Sequence, residues 1–280
     1  MAIQIGIFAK TFSRPTLTET LDAVAAHGLR HIQFNMSVAG LPSMPDAIDA
    51  DLAATIRREL AARDINMIAL SGTFNMIHPD ESARAGGLRR LRVLAAACAT
   101  LETSLITLCA GTRDRENQWR WHPDNAEPAA WRDLLASMER ALTIADEFDV
   151  TLGVEPEVSN VVDSAAKARQ LLDSMGSPRL KIIMDGANLF KAGMLPRMRE
   201  VLDEAFDLLG DDIISAHAKD LSRDGDAGQE AAGTGLLDYA HYIGLLRQAK
   251  YDGALILHGL REAQVDFSVG FLRDQLKKSD

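Results

Sequence analysis

Eight short apolar runs, each followed by a longer amphipathic stretch, constrain the fold of this chain more than any other feature. The runs are rich in Val, Ile and Leu and lack strict alternation, which is typical of parallel strands covered on both faces. They begin near Ile3, Arg30, Ile65, Ser104, Val150, Leu180, Ile213 and Ala254. The stretches between them have helical periodicity, for example from Thr16, Asp51 and Trp131. The sequence therefore predicts an α/β protein in which strands and helices alternate.

The spacing of these units favours a closed barrel. Eight units in 280 residues average about 35 residues each, the size of one βα unit in a (β/α)8 TIM barrel. No GxGxxG follows the first strand, which argues against a doubly wound nucleotide-binding sheet. No Pro-, Gly- or Ser-rich linker divides the chain, so we expect a single TIM-barrel domain over residues 1–280. The polar, glycine-rich segment from Ser222 to Gly235 is interpreted as a mobile loop.

Composition and charge exclude several classes of partner. The formal net charge is −10 and no Lys/Arg run appears, so we expect no nucleic-acid partner. No apolar run approaches the ~18 residues that span a bilayer, and the N-terminus lacks the pattern of a signal peptide. Cys98 and Cys109 form no CxxC pair and are interpreted as buried, reduced thiols. We therefore expect a cytoplasmic protein with no membrane partner.

Polar side chains close four consecutive strands of the predicted barrel. Glu155, Asp185, His217 and His258 end strands five to eight, separated by 30, 32 and 41 residues, about one βα unit each. One polar residue at a strand end often only caps a turn, but four in register converge on one mouth. Carboxylate oxygens and imidazole nitrogens together suit Mn²⁺, Co²⁺, Zn²⁺ or Mg²⁺. The sequence thus predicts a shared divalent-metal site.

Short motifs in a characteristic order give a family resemblance over essentially the whole chain. They are HPD at His78, GTRD at Gly111, VEPE at Val154, MDGAN at Met184 and HAKD at His217. With these motifs the chain resembles the xylose isomerase-like barrel superfamily, in its sugar phosphate isomerase/epimerase branch. The resemblance implies metal ligands at Glu155, Asp185, His217 and a fourth strand end, where the family usually has Glu and this chain has His258. That histidine is either a ligand or a general acid/base, since a metal-bound nitrogen has no free lone pair.

The resemblance implies an enzyme, a divalent-metal-dependent isomerase or epimerase acting on a small sugar, sugar phosphate or sugar acid through an enediolate. Glu155 or a neighbouring carboxylate would remove a proton, and His258 or Glu262 would return it. Lys219 would neutralise the developing charge, unless it only pairs with Asp220. Loss of a β-hydroxyl from the same intermediate would make the protein a sugar-acid dehydratase instead.

Two further classes remain as alternatives. A metal-dependent, endonuclease-like hydrolase is disfavoured by the acidic charge and by the presence of only seven histidines. A non-catalytic sugar-binding barrel is suggested by three departures from the family pattern, at Gln33, Asn188 and His258. Relatives of this kind often form homo-oligomers, but the sequence identifies no interface.

Five further residues near the predicted mouth are candidates for binding a carbohydrate substrate. They are His78, Arg113, Glu157, Asn188 and Trp119. Each also has a structural interpretation. Arg113 has acidic neighbours at Asp114 and Glu116, Trp119 could pin its loop, and Glu157 and Glu262 could be solvated loop or helix charges. The sequence does not identify the substrate.

Overall fold

Eight parallel strands close into a ring in the computed structural model of the protein, which describes residues 3–278. The predicted domain limits, residues 1–280, include four terminal residues that lie outside this range. The strands are β1 (Gln4–Phe8), β2 (His31–Phe34), β3 (Asn66–Ser71), β4 (Leu105–Cys109), β5 (Thr151–Glu155), β6 (Leu180–Asp185), β7 (Ile213–Asp220), the short β8 (Glu230–Ala231) and β9 (Ala254–Leu257). The barrel strands begin within one residue of the positions that the apolar runs predict.

The hydrogen-bonded order of the strands confirms the TIM barrel. Strands β1 to β7 pair in sequence, β7 pairs with β9, and β9 pairs with β1, all in parallel. The two-residue β8 runs antiparallel to the end of β7, with Lys219 opposite Ala231. It lies within the polar segment interpreted as a loop, where two residues are too few to show any periodicity. Its pairing brings that segment to the C-terminal end of the barrel.

Helices cover the outside of the barrel. They are α1 (Leu17–Ala26), α2 (Ala50–Ala61), α3 (Glu81–Leu101), α4 (Pro128–Phe148), α5 (Ala165–Met175), α6 (Met198–Leu209), α7 (Tyr239–Gln248) and α8 (Val265–Lys278). Across residues 3–278, no helix combines the length and the apolar character that crossing a membrane requires.

Three local signals in the sequence predict helix ends: Asp46 and Asp80, each after a proline, as N-terminal caps, and Gly28 as a C-terminal stop. Asp80 caps α3, its carboxylate accepting a hydrogen bond from the Ser82 amide. Gly28 follows the end of α1 at φ +71°, a left-handed conformation that glycine adopts without strain. The prediction that Asp46 caps a helix is wrong, because α2 begins at Ala50 and is capped by Asp49. The Asp46 carboxylate instead accepts a hydrogen bond from Arg90 at 2.8 Å.

Both cysteines lie in the interior as free thiols, as predicted. Burial raises the pKa of the Cys98 thiol to about 12 and that of the Cys109 thiol still further. The Cys109 thiol lies 3.4 Å from the carbonyl oxygen of Phe74, to which it donates a weak hydrogen bond. Neither thiol is therefore suited to act as a nucleophile.

Tyr242 connects α7 to the two strands that carry the centre of the predicted site. It is fully buried, and its hydroxyl lies 2.9 Å from the carbonyl oxygen of Met184 and 3.2 Å from that of His217. We expect Tyr242→Phe to lower the free energy of unfolding by about 1–3 kcal/mol, because buried carbonyl groups lose a donor. Urea denaturation followed by circular dichroism measures this change. An unchanged midpoint would show that the hydroxyl adds nothing to stability.

Candidate metal centre

A cavity of about 780 Å³ opens at the C-terminal ends of the strands. Its volume is in the range of sites that enclose one small molecule. Among the predicted residues, the cavity is lined by Glu155, Glu157, His217, Lys219, His258 and Trp119. The structure therefore brings side chains from the ends of β5, β7 and β9, and from the loop after β4, to one mouth.

Three ligand-type side chains converge beneath this cavity. One donor atom from each of Asp185, His217 and His258 lies within 4.8 Å of the other two. Asp185 Oδ2, His217 Nδ1 and His258 Nδ1 are all buried, and within residues 3–278 none of them makes a hydrogen bond of good geometry, although the Lys219 ammonium lies 3.3 Å from Asp185 Oδ2. Buried polar atoms normally find partners, since an unpaired one costs free energy. Each of these three converging residues thus has a buried polar atom without a hydrogen bond, which fits a role in holding a cation.

Gln33 orients His217 for this role. The Nε2 atom of His217 lies 2.9 Å from the side-chain oxygen of Gln33, and the Gln33 amide donates to Thr107 Oγ1 at 3.3 Å. Because the Gln33 oxygen only accepts, Nε2 of His217 carries a proton and Nδ1 faces Asp185 Oδ2 at 3.8 Å. Gln33, one of the three departures from the family pattern, thus holds an imidazole as outer residues of metal sites do.

The carboxylates around His217 favour positive charge. Burial alone would lower the pKa of His217, but the charges of Glu155 and Asp185 outweigh it and raise the pKa to about 9. The pKa of the Asp185 carboxyl is lowered despite its burial, chiefly by the charge of Lys219. The field that stabilises a protonated imidazole also stabilises any cation placed between the same groups.

Glu155 borders the cluster but is not one of its three members. Its Oε1 atom lies 3.5 Å from His217 Nδ1 and accepts a hydrogen bond from Asn188 Nδ2 at 2.6 Å. The Asn188 side-chain oxygen in turn accepts from the Gly228 amide at 3.1 Å. Asn188, a candidate for substrate binding, is fully buried and lies outside the cavity lining. It therefore fixes the Glu155 carboxylate in place.

His258 lies between two other rings. Its ring is stacked on Phe8 and on His217, with ring centroids 5.2 Å apart in both pairs. Burial lowers the pKa of His258 well below its usual value, and the positive charge of Lys219 lowers it further. A neutral imidazole is the form that binds metal ions.

Lys219 and Glu157 are two further buried, ionisable residues in the cavity wall. The Lys219 ammonium lies 3.3 Å from Asp185 Oδ2, so its carboxylate partner is Asp185. Asp220, the alternative partner, accepts the backbone amides of residues 233, 235 and 237 instead. Burial raises the pKa of the Glu157 carboxyl to about 8, with the charge of Glu155 adding to the effect. Glu157 is thus not the solvated loop charge that the sequence allowed.

Three other predicted residues do not line the cavity. Arg113 forms an ion pair with Asp133 at 2.8 Å, rather than with either acidic neighbour in its own loop. The Nε2 atom of His78 lies 3.1 Å from the Arg115 carbonyl oxygen. Glu262 accepts two hydrogen bonds from Arg14, at 2.5 and 2.9 Å. Their existing partners and their positions separate them from the converging groups.

Several wall residues come from strands whose ends the sequence did not single out. Phe8 ends β1 and Lys10 lies two residues later, Thr107 belongs to β4, and most residues between Leu221 and Glu230 form one side of the opening. The rule that sites form at C-terminal strand ends applies equally to β1, so the position of Lys10 at the mouth is predictable from the sequence. The contribution of residues 221–230 to the wall is not predictable from the sequence, because it depends on how that segment folds back over the mouth.

Comparison with known proteins agrees with this architecture. A family described as xylose isomerase-like TIM barrel matches residues 21–275. No curated protein sequence matches the chain.

Solved structures give the same fold. The 3-keto-D-glucoside 4-epimerase of E. coli is 16% identical with a TM-score of 0.75, covering 97% of this chain and 99% of its own. The IOLI protein, solved with a zinc atom, is 16% identical with a TM-score of 0.73, and the match covers 100% of this chain and 99% of that protein. A probable 3-DHS dehydratase from Bacillus anthracis is 12% identical with a TM-score of 0.73, and the match covers 98% of this chain and 99% of that protein. At such identities the likeness establishes the fold alone.

Proposed function

The chain belongs to the xylose isomerase-like TIM barrel family, and from that premise we propose that it is a divalent-metal-dependent isomerase or epimerase of a small sugar derivative. The observation that carries this proposal is the convergence of Asp185, His217 and His258, each of which offers a ligand atom within 4.8 Å of the other two. The cavity beside them is also lined by Glu155, Glu157 and Lys219. Two structural neighbours, an epimerase and a protein with bound zinc, are consistent with it.

The donor set fits a transition metal or zinc. Asp185 Oδ2 and the Nδ1 atoms of His217 and His258 would hold the ion. Two imidazole nitrogens suit Zn²⁺, Mn²⁺ or Co²⁺ better than Mg²⁺, which prefers oxygen ligands. When bound, the ion supplies a Lewis acid that stabilises negative charge on a substrate oxygen.

The side chains around this site are arranged for proton transfer. Glu155, held by Asn188, takes the proton from the carbon beside the substrate carbonyl, and the C–H electron pair becomes part of an enediolate. Glu157, in the same wall, carries the proton that is returned. The Lys219 ammonium stabilises the negative charge while it exists. His258 acts as a ligand, and Glu262, paired with Arg14 outside the cavity, takes no part.

The carbon that receives the returned proton determines the product. Return to the same carbon from the opposite face gives epimerisation, and return to the adjacent carbon gives isomerisation. Expulsion of a β-hydroxyl instead gives dehydration, the alternative that the probable dehydratase among the neighbours supports. Mass spectrometry separates these outcomes, because only dehydration removes one water from the product.

Glu155→Gln tests the assignment of the base. We expect the variant to retain its metal but to lose incorporation of solvent deuterium into ketoses and keto acids by about 10²-fold or more, as removal of a general base does. Glutamine keeps an oxygen for Asn188 but cannot accept a proton at neutral pH. Exchange is followed by NMR, with and without prior treatment with a chelator.

Glu262→Gln is the matched control and should exchange as the wild type does. If chelated and metal-loaded wild-type protein exchange equally, or if neither exchanges with any compound, the proposed function is wrong. If Glu155→Gln exchanges normally while chelation abolishes exchange, the metal role stands and the base is another group.

A further inference from the structure

Lys10 is a cation in the cavity wall without a carboxylate partner. Three cationic side chains line the cavity, those of Lys10, Lys219 and Arg223. The Lys219 ammonium lies 3.3 Å from Asp185, and Arg223 lies 2.7 Å from Asp226. Within residues 3–278, by contrast, no carboxylate lies within ion-pair distance of the Lys10 ammonium. The ammonium instead lies over the aromatic ring of Phe8.

The position of this ammonium relates it to the metal centre. Lys10 lies two residues after the end of β1, and its Nζ atom is 4.5 Å from the centroid of the Phe8 ring. The same Phe8 ring stacks on His258. One phenyl ring therefore connects the ammonium to an imidazole of the candidate metal centre.

The surroundings of Lys10 leave its charge poorly compensated. Lys10 lines the cavity at its solvent-facing mouth and is itself classed as exposed, and the partial burial of its side chain lowers its pKa. A cation–π contact with Phe8 compensates only in part, since such contacts are weaker than an ion pair in the same setting. A cation in a cavity wall that has no counter-ion among residues 3–278 favours a ligand that brings negative charge.

Resting on the proposed function, we propose that Lys10 forms a subsite for an anionic group of the substrate. The substrate is then a sugar acid or a sugar phosphate rather than a neutral sugar. A carboxylate is favoured, because one compact ammonium matches its single charge, whereas phosphate groups usually recruit several donors or a bidentate arginine. The two remaining cations of the wall are already paired within the protein.

Matched ligands test this subsite. Calorimetry compares the metal-containing wild type with Lys10→Gln, using D-glucose, D-galactose and D-mannose, each beside its uronate and its 6-phosphate. We expect Lys10→Gln to bind at least one uronate about 10- to 100-fold more weakly, the range for losing a bond to a charged group. Its affinity for the neutral sugar of the same series should change less than twofold.

Two further variants separate the local charge from general effects. Lys10→Arg keeps the charge and should recover most of the affinity for the uronate. Lys277→Gln removes the same charge from the last turn of α8, which lies at the end of the barrel remote from the cavity, and should bind as the wild type does. If the 6-phosphate loses more affinity than the uronate in Lys10→Gln, the anion is a phosphate.

The proposal is overturned if Lys10→Gln binds every uronate and phosphate as the wild type does, if the neutral sugars weaken equally, or if no anionic ligand binds the wild type. Failure of the proposed function has a different signature. It would appear as wild-type protein that holds no metal and exchanges no deuterium, whatever residue 10 is.

Discussion

Asp185→Asn is expected to purify almost free of metal, with affinity for the ion reduced by at least about 100-fold. Changing a residue that only supports a metal ligand lowers metal affinity by up to about 100-fold, and loss of a ligand should cost at least as much. The variant keeps Oδ1 to accept the Ala187 amide but loses the charge beside His217 and Lys219. Elemental analysis gives the metal content per folded chain, and deuterium exchange should fall with it.

A loss of stability accompanies this change and needs its own control. Asp185 is the carboxylate partner of a buried lysine, and breaking such a pair costs roughly 3–5 kcal/mol. Asp212 forms a partly exposed pair with Lys181 at 2.6 Å, immediately before β7 and outside the cavity lining. Asp212→Asn should therefore be destabilised but retain its metal. Equal metal content in the two variants would remove Asp185 from the site.

His258→Glu is expected to change which metal the protein prefers. The substitution replaces an imidazole by a carboxylate, so the donor set becomes richer in oxygen and its preference moves from Zn²⁺ towards Mn²⁺ and Mg²⁺. We expect the ratio of Zn²⁺ to Mg²⁺ affinities to fall by at least about tenfold, a change typical even of outer residues. Competition between the two ions, measured with a chelating dye, gives this ratio.

His122→Glu controls for the added negative charge. His122 lies in the loop after β4, where its Nδ1 accepts the Asp124 amide at 3.2 Å, outside the cavity lining. This variant should keep the wild-type metal preference. If His258→Glu also keeps it, His258 does not contact the ion, and the neutral imidazole stacked on Phe8 has another role.

The sequence predicts the barrel well because the relevant signals are local. Each barrel strand is a continuous apolar run, and each run is followed by a segment with helical periodicity. The prediction that Asp46 caps a helix is wrong because a proline followed by an acidic residue is a weak signal. Asp49, three residues later, is equally suited to the cap. The short β8 depends on pairing with β7, which no local pattern records.

For the candidate site, strand ends are predictable and side-chain partners are not. Asp185, His217 and His258 meet because strand order and register bring them to one mouth. The partners of Arg113 and Glu262 come from other elements, Asp133 in α4 and Arg14 before α1. Such pairs depend on loop paths and helix positions, which hydrophobic periodicity does not describe. The hydrogen bond between Gln33 and His217 likewise joins residues from distant elements and is not predictable from local sequence.

Gly228 links the rim of the cavity to its chemistry. A Cβ atom at this position would approach the Asp220 carbonyl oxygen to 2.5 Å and Ala187 Cβ to 2.6 Å, so the close approach depends on glycine. Its amide ends a relay that runs through Asn188 to the Glu155 carboxylate. A displacement of the rim that breaks the first of these bonds frees Asn188 to turn and deprives Glu155 of its fixed donor. The same few atoms therefore border the opening of the chamber and hold the carboxylate that we propose as the base.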